Sequence, residues 1–343
     1  MTAASTLEYF LAGLREGRDL SENETGEMFI ALQDGELDEI LIADVLTAWM
    51  VKGPTVDEIY SLAKIMRERA RKIESKRAVF IDTAGTGASR IKTFNISTAA
   101  AFVIAGAGVG VAKHGNRAAT SSSGSADVIA ELGVKVETEP GKAARCLDEI
   151  GICFMFAPYF HSLSPTLGRA RRGLGAPSVF NIVGPLCNPA GAPHQVMGVW
   201  DKALVGKVST AMSRLGTARS WVVHGGDGLD EVTLSGATHI SEISDGKIED
   251  KTISPADFGI EPVPIDSLSK VSPAESAALI RGILGNKCEN PAARDLVLMN
   301  AAAAIYVAGA AADLRTAFAA AAESLESGAA RIKLAELARE TNR

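Results

Sequence analysis

The chain has 343 residues, which at roughly 150 residues per domain sets an expectation of about two domains. Its 35 lysines and arginines against 41 aspartates and glutamates give a formal net charge of -6, a balance that argues against a dedicated nucleic-acid or anionic-membrane binder. Hydrophobic residues at 47% argue against disorder, and 33 glycines beside 5% aromatics favour tight turns and backbone near a polar ligand over base-stacking platforms.

The first residues carry no basic n-region and reach Glu8 before any long apolar run, so no secretory signal is read there. Ser5 with Glu8, Ser21 with Glu24, and Thr55 with Glu58 each have the spacing of a capping box. Leu7, Phe10, Leu11 and Leu14 recur at i, i+3, i+4 and i+7, as do Ile59, Leu62, Ala63 and Met66, which predicts one apolar stripe per helix. Gly53-Pro54 should end the helix before it. Residues 1–75 are therefore expected to form a small all-helical domain, and 76–343 a larger α/β domain.

From residue 78 short apolar runs alternate with helical stretches. Strands are expected at 79–81, 109–112, 134–136, 152–156 and 221–223, and helices at 97–106, 125–132 and 141–150. Such alternation predicts a mostly parallel central sheet flanked by helices. The apolar run 99–112 is broken by Gly106, Gly108 and Gly110 and falls short of the ~20 residues a membrane span needs. A polar, β-containing stretch is expected over 240–271, and Ala-rich helices from 273 onward. Cys146, Cys153, Cys187 and Cys288 form no C-x-x-C pair, which excludes a zinc ribbon and speaks against a disulfide framework. A reducing, cytoplasmic setting is the expectation.

In an open α/β sheet, ligands sit where strand ends feed helix N-termini. At 82–101 a strand runs into Gly85 and Gly87, and Asn95, Ser97 and Thr98 open a helix. Free N–H groups and small hydroxyls there favour an anion, although a plain capped turn would look the same. At 111–133 Lys113, His114, Asn116 and Arg117 precede a run of hydroxyls and a helix from Ser125. Two cations, an amide and many hydroxyls suit phosphate groups, the alternative being a solvated basic loop. At 224–236 Asp230 and Glu231 stand together in a turn-rich loop with Asp227. Mg²⁺ prefers one or two carboxylates plus substrate phosphate oxygens, but acidic surface pairs are also common. Of Arg169, Arg171 and Arg172, one could pair with a substrate carboxylate while the others lie on a solvated face. His161, His194 and His239 show no metal-ligand spacing and are read as structural. No catalytic nucleophile or general base is identified.

Together GTG…KTFNISTA, VAKHGNRAA…SGSADV, FMFAP, VFNIVGPLCNPA, VHGGDGLDE and AAAAIYVAG resemble, in order and over nearly the whole chain, the anthranilate phosphoribosyltransferases. These are the tryptophan-biosynthesis branch of the nucleoside-phosphorylase-like phosphoribosyltransferases. The resemblance implies a helical domain, completed by the 165–190 segment, joined to an α/β domain in a homodimer. It implies a phosphoribosyl diphosphate site at Gly85, Thr93, Asn95, Ile96, Ser97, Thr98, Lys113, His114, Gly115, Asn116, Arg117, Ser121 and Ser125. Anthranilate would contact Gly85, Asn116 and Arg171. Mg²⁺, two per subunit, would be held by Ser97 at one site and by Asp230 and Glu231 at another. The aryl amine is neutral at pH 7, so positioning and leaving-group stabilisation should carry the rate.

The chain departs from that family where G-T-G-G-D-G is usual and it has Gly85-Thr86-Gly87-Ala88-Ser89-Arg90. A lysine frequent in the serine-rich loop is Ser122 here, and the usual H-P-A is His161-Ser162-Leu163. A cation moved to Arg90 is one expectation from the paired exchange. Two other readings share the fold: a non-catalytic nucleic-acid-binding paralogue, opposed by the acidic charge, and a pyrimidine nucleoside phosphorylase, opposed by KHGNR.

Overall fold

The computed structural model describes residues 2–343 apart from 90, 118–122, 266–267 and 269–271. The chain begins with four helices, α1 (Ala3–Arg15), α2 (Glu22–Leu32), α3 (Glu39–Lys52) and α4 (Val56–Arg69). The capping boxes Ser21–Glu24 and Thr55–Glu58 form as expected, and Gly53, with φ +82°, ends α3. Ser5 does not cap. Thr2 lies three residues upstream, accepts the Ser5 N–H and starts α1 earlier, which leaves Glu8 inside the helix.

The α/β part follows as β1 (Phe80–Gly85), α5 (Ile96–Gly106), β2 (Gly110–Gly115), α6 (Ser125–Glu131), α7 (Pro140–Ile150) and β3 (Ile152–Phe156). Three short helices, α8 (Ala157–Phe160), α9 (Pro165–Gly173) and α10 (Val179–Val183), lead to β4 (His194–Gly198), α11 (Leu204–Arg214) and β5 (Arg219–Gly225). A hairpin, β6 (Thr238–Ser244) and β7 (Lys247–Ile253), and four helices complete the chain: α12 (Pro273–Leu284), α13 (Pro291–Val307), α14 (Leu314–Glu326) and α15 (Ala329–Asn342). The seven strands lie in the order β3-β2-β1-β4-β5-β6-β7, parallel through β5 and antiparallel beyond it. β7 and β3 are the two edges, and Ile253 is the one buried residue of β7.

Two expectations change. Residues 134–136 form no strand; Val134 and Val136 are buried in the core, so their alternation reflects burial without a ladder. β4 is not among the expected strands, because it is five residues long and opens on His194 and Gln195, hiding a fully central strand. Alanine in the C-terminal helices serves packing: α13 is buried along most of its length and lies against α5, itself apolar on every side. The core of the N-terminal helices also takes in Leu167, Val179, Phe180, Ile182 and Leu186 from the 165–190 segment.

Candidate active site

Strand order reverses direction between β1 and β4, so the crevice for a ligand opens beyond their carboxyl ends. Gly85 and Gly198 are register partners at that point. A Cβ on Gly198 would stand 1.7 Å from the Asp230 carbonyl oxygen, and one on Gly85 2.9 Å from Asp230 Oδ2. The acidic loop after β5 is thus seated directly on a pair of glycines. Gly87 N–H donates to Asp230 Oδ2 at 2.9 Å, Ser89 Oγ donates to the Gly228 carbonyl at 2.8 Å, and Thr86 N–H donates to the Gly198 carbonyl at 3.0 Å. Three separate loops are tied into one rim.

Glu231 faces the N–H and hydroxyl of Ser97 on the first turn of α5. Ser97 and the carboxylate pair, expected at separate metal positions, therefore share one wall. Burial and the neighbouring Asp230 charge push the Glu231 carboxyl up to about 8, and burial also raises Asp230. Two adjacent carboxylates, Asp230 buried and Glu231 half-buried, offer oxygen donors alone beside a hydroxyl, and a divalent cation would relieve their mutual repulsion. Among the described residues no group of three His, Cys, Asp or Glu gathers into a full cage. That donor set fits Mg²⁺ shared with a phosphate ligand.

Lys113 is buried and spans the wall: Nζ donates to the Thr83 carbonyl at 2.6 Å and to Ser97 Oγ at 3.2 Å. Burial lowers its pKa, opposed by Asp82 and Glu231. Arg117 is exposed and pairs with Asp127 at 2.9 Å, so the basic loop is organised by partners within the fold. His114 is buried, with its ring edge on to His161 at 5.1 Å between centroids; burial and that neighbour hold it neutral, and its Nε2 has no partner. His161 Nε2 meets the Cys187 carbonyl at 2.9 Å, while His194 and His239 face the Arg219 carbonyl and Lys202.

Asn95 stands at the N-cap position of α5 yet does not cap it; its carboxamide turns toward Ser123 and Ser276. Ile96 and Thr98 point into the core, and the Thr98 hydroxyl is buried without a partner. Thr93 donates to the Phe94 carbonyl. Gly115 and the exposed Asn116 lead to Ser125, whose hydroxyl donates to the Asn116 carbonyl at 3.4 Å. Ser121, Ser122 and Arg90 lie outside the described residues. Of the three arginines, Arg169 pairs with Glu39 and Arg172 is exposed. Arg171 is turned inward over the Phe180 ring at 4.6 Å, its Nε unpartnered and its pKa lowered by burial to about 10. It remains a cation at neutral pH.

Sequence reasoning passes over three groups here. Asp82 is fully buried: Asn188 Nδ2 donates to its Oδ2 at 2.7 Å and to the Ala112 carbonyl at 2.8 Å, and His114 N–H donates to its Oδ1 at 3.2 Å. These side chains fill the gap where β1 and β2 part after Ile81↔Val111. Lys92 donates to the Gly87 carbonyl at 3.2 Å and feels the Asp230 charge, which puts a described cation on the altered loop. Gly198 is the third; its neighbour in space comes 32 residues later, and no motif marks it.

Residues 77–331 match the glycosyl transferase family, a/b domain, and residues 9–70 the glycosyl transferase family, helical bundle domain. The anthranilate phosphoribosyltransferase of Anaeromyxobacter dehalogenans (strain 2CP-C) is 46% identical over 331 residues, 96% of this chain and 97% of that protein. A crystal structure of anthranilate phosphoribosyltransferase from Thermus thermophilus superposes with a TM-score of 0.88 at 36% identity, covering 100% of both chains. The enzyme of that name from Saccharomyces cerevisiae, solved in complex with PRPP and Mg, gives a TM-score of 0.89 at 26% identity over 98% of each chain. It has also been solved in complex with 4-fluoroanthranilate, with a TM-score of 0.87 at 25% identity.

Proposed function

Because the chain belongs to the glycosyl transferase family of helical bundle and a/b domains, as the anthranilate phosphoribosyltransferases do, we propose that it transfers the phosphoribosyl group of 5-phosphoribosyl 1-diphosphate to the amine of anthranilate. The products are N-(5-phosphoribosyl)anthranilate and diphosphate, a step of tryptophan biosynthesis. The observation that carries this reading is the crevice between β1 and β4, where the start of α5, Lys113 and the Asp230–Glu231 pair converge.

In the displacement the amine nitrogen bonds to C1 of the ribose, the C1–O bond to diphosphate breaks with its electron pair leaving on oxygen, and the amine releases a proton. Bound Mg²⁺ would offset the negative charge of the diphosphate. Ser97, Asp230 and Glu231 would hold it. The N–H groups at the start of α5 and the small side chains beside them favour an anion at the same wall. Lys113 places an ammonium donor behind Ser97, its charge opposed by burial and supported by Asp82 and Glu231. The inward guanidinium of Arg171 and the unpartnered Nε2 of His114 suit an aromatic acid, the former toward its carboxylate. Gly85 and Asn116 complete the acceptor contacts in this reading, and Thr93, Asn95, Ile96, Thr98, Lys113 to Arg117, Ser121 and Ser125 those of the donor. Helical residues 1–75 with 165–190 and the α/β residues 76–343 act as two units of a cytoplasmic homodimer binding two Mg²⁺ per subunit. Among the described residues no helix is long and apolar enough to cross a membrane.

The test is loss of anthranilate fluorescence in the presence of phosphoribosyl diphosphate. Signal should fall with Mg²⁺ and stay constant with EDTA. Asp230→Asn should lower kcat/KM by about 100-fold, since it would weaken the hold on the cation that offsets the leaving diphosphate, and losing one such preorganised electrostatic interaction costs about that much. A metal-independent rate, or no turnover at all, would refute the reading.

A further inference from the structure

We propose that Ser276, on the first turn of α12, is a positioning residue for the phosphoribosyl donor, locking the Asn95 carboxamide with its NH₂ group turned toward the anion. The inference rests on the transferase reading above and adds to it a residue 181 positions from the one it serves.

The polarity of the hydrogen bonds carries the argument. Asn95 N–H donates to Ser276 Oγ at 3.1 Å, so that oxygen is already engaged as an acceptor. A serine hydroxyl has one proton to give, and at 3.0 Å it goes to Asn95 Oδ1. The Ser123 hydroxyl donates to the same Oδ1 at 2.8 Å. Turned over, the amide would set its NH₂ in competition with the Asn95 N–H for Ser276 Oγ and face its oxygen to the Ser123 carbonyl, so the orientation follows from the network. The nitrogen, whose contact with the Ser123 carbonyl is long at 3.4 Å, keeps donor capacity for a ligand. Asn95 stands at the N-cap position of α5 but spends nothing on capping it, so its side chain is free for that task.

Packing points the same way. Ser272 caps α12, Pro273 opens it, and the helix presents Ser276, Ala277, Ile280, Ile283 and Leu284 inward. Ser276 is fully buried in an otherwise apolar stripe. An alanine there would pack as well, and a buried hydroxyl in such a stripe is accounted for by the partner it holds.

The experiment compares Ser276→Ala, Asn95→Ala and the double variant, with thermal melting as a check on folding. Donor and acceptor KM and kcat are measured together with calorimetric binding of phosphoribosyl diphosphate in Mg²⁺. Ser276→Ala should raise the donor KM about 5- to 10-fold, the size of one lost hydrogen bond. The acceptor KM and the kcat at saturating donor should stay as in the wild type, and Ser276→Ala should add nothing in the Asn95→Ala background. Ser276→Cys keeps the volume but bonds weakly, and should behave as the alanine variant does. Wild-type donor affinity in either single variant, equal loss in kcat and acceptor KM, or additivity with Asn95→Ala would overturn the assignment. Failure of the wild type to bind the donor would instead refute the transferase reading itself.

Discussion

Asp230 is placed by residues that have no side chain to place it with. The Gly85–Gly198 pair leaves a hollow between β1 and β4, and the Asp230 main chain fills it, with Gly87 N–H fixing one carboxylate oxygen. Gly198→Ala should therefore displace the acidic loop and lower kcat/KM by about 100-fold, the cost of roughly an ångström of misplacement. The Mg²⁺ concentration for half-maximal rate should rise with it. Measuring both against Mg²⁺ checks this; an unchanged Mg²⁺ dependence would refute a metal-loop role for Gly198. The contrast with Asp230 and Glu231 shows what the sequence could reveal. Adjacent carboxylates in a Gly-rich loop advertise their chemistry, as do the cations and hydroxyls of KHGNR. Gly198, Asp82, Asn188 and Ser276 act through partners 32 to 181 residues away, and such pairings exist only once the chain has folded.

At the scale of elements, local rules served where local interactions decide. The Ser21–Glu24 box starts α2 through reciprocal bonds three residues apart, and Arg18 joins Glu24 at 2.5 Å. The Ser21 N–H above all, then Arg18, holds the Glu24 carboxyl down at about 2 against a usual value of 4.5. A depressed carboxyl stabilises the fold fully above its unfolded pKa and loses that contribution as pH falls through its folded one. Glu24→Gln should thus lower the melting temperature by a constant amount above about pH 5, and the difference should shrink from about pH 4.5 down to about pH 2. Melting curves at stepped pH test it; a difference that grows on acidification would contradict the pairing. Local rules failed for β4 and for 134–136, where burial in the sheet and core overrode a weak five-residue pattern in one case and mimicked a strand in the other. The Ser5 box failed because Thr2 offered an earlier cap.

Across the whole molecule, the helical unit and the sheet meet through buried groups that bind neither substrate in our reading. Arg67 at the end of α4 donates to the Leu186 carbonyl at 2.5 Å and the Leu215 carbonyl at 3.1 Å, closing both sides of the junction. Cys187 lies beside it, wholly buried, its thiol pushed up to about 12 by burial and directed at the Ala63 carbonyl. Cys153 is buried within strand β3 and likewise raised, whereas Cys288 is partly exposed. A thiolate-selective reagent at about pH 8 should label Cys288 in the native protein and leave Cys153 and Cys187 unmodified until unfolding. Mass spectrometry of the labelled peptides decides it, and native labelling of Cys187 would mean that the junction opens. This arrangement was half visible beforehand: the motifs ordered the chain correctly, but no periodicity tells which helices share a core with a segment more than a hundred residues downstream.

The sheet ends on β7, a strand with one free row of backbone donors and acceptors. Lys247, Glu249 and Asp250 stand exposed along it, and Lys251 is drawn back to Glu242 at 2.5 Å. An incoming strand from another molecule would have to bury those charges before it could add to the ladder. The hairpin that lies farthest from the crevice thus guards its own edge by charge, whereas β3, the other outer strand, is buried along its whole length.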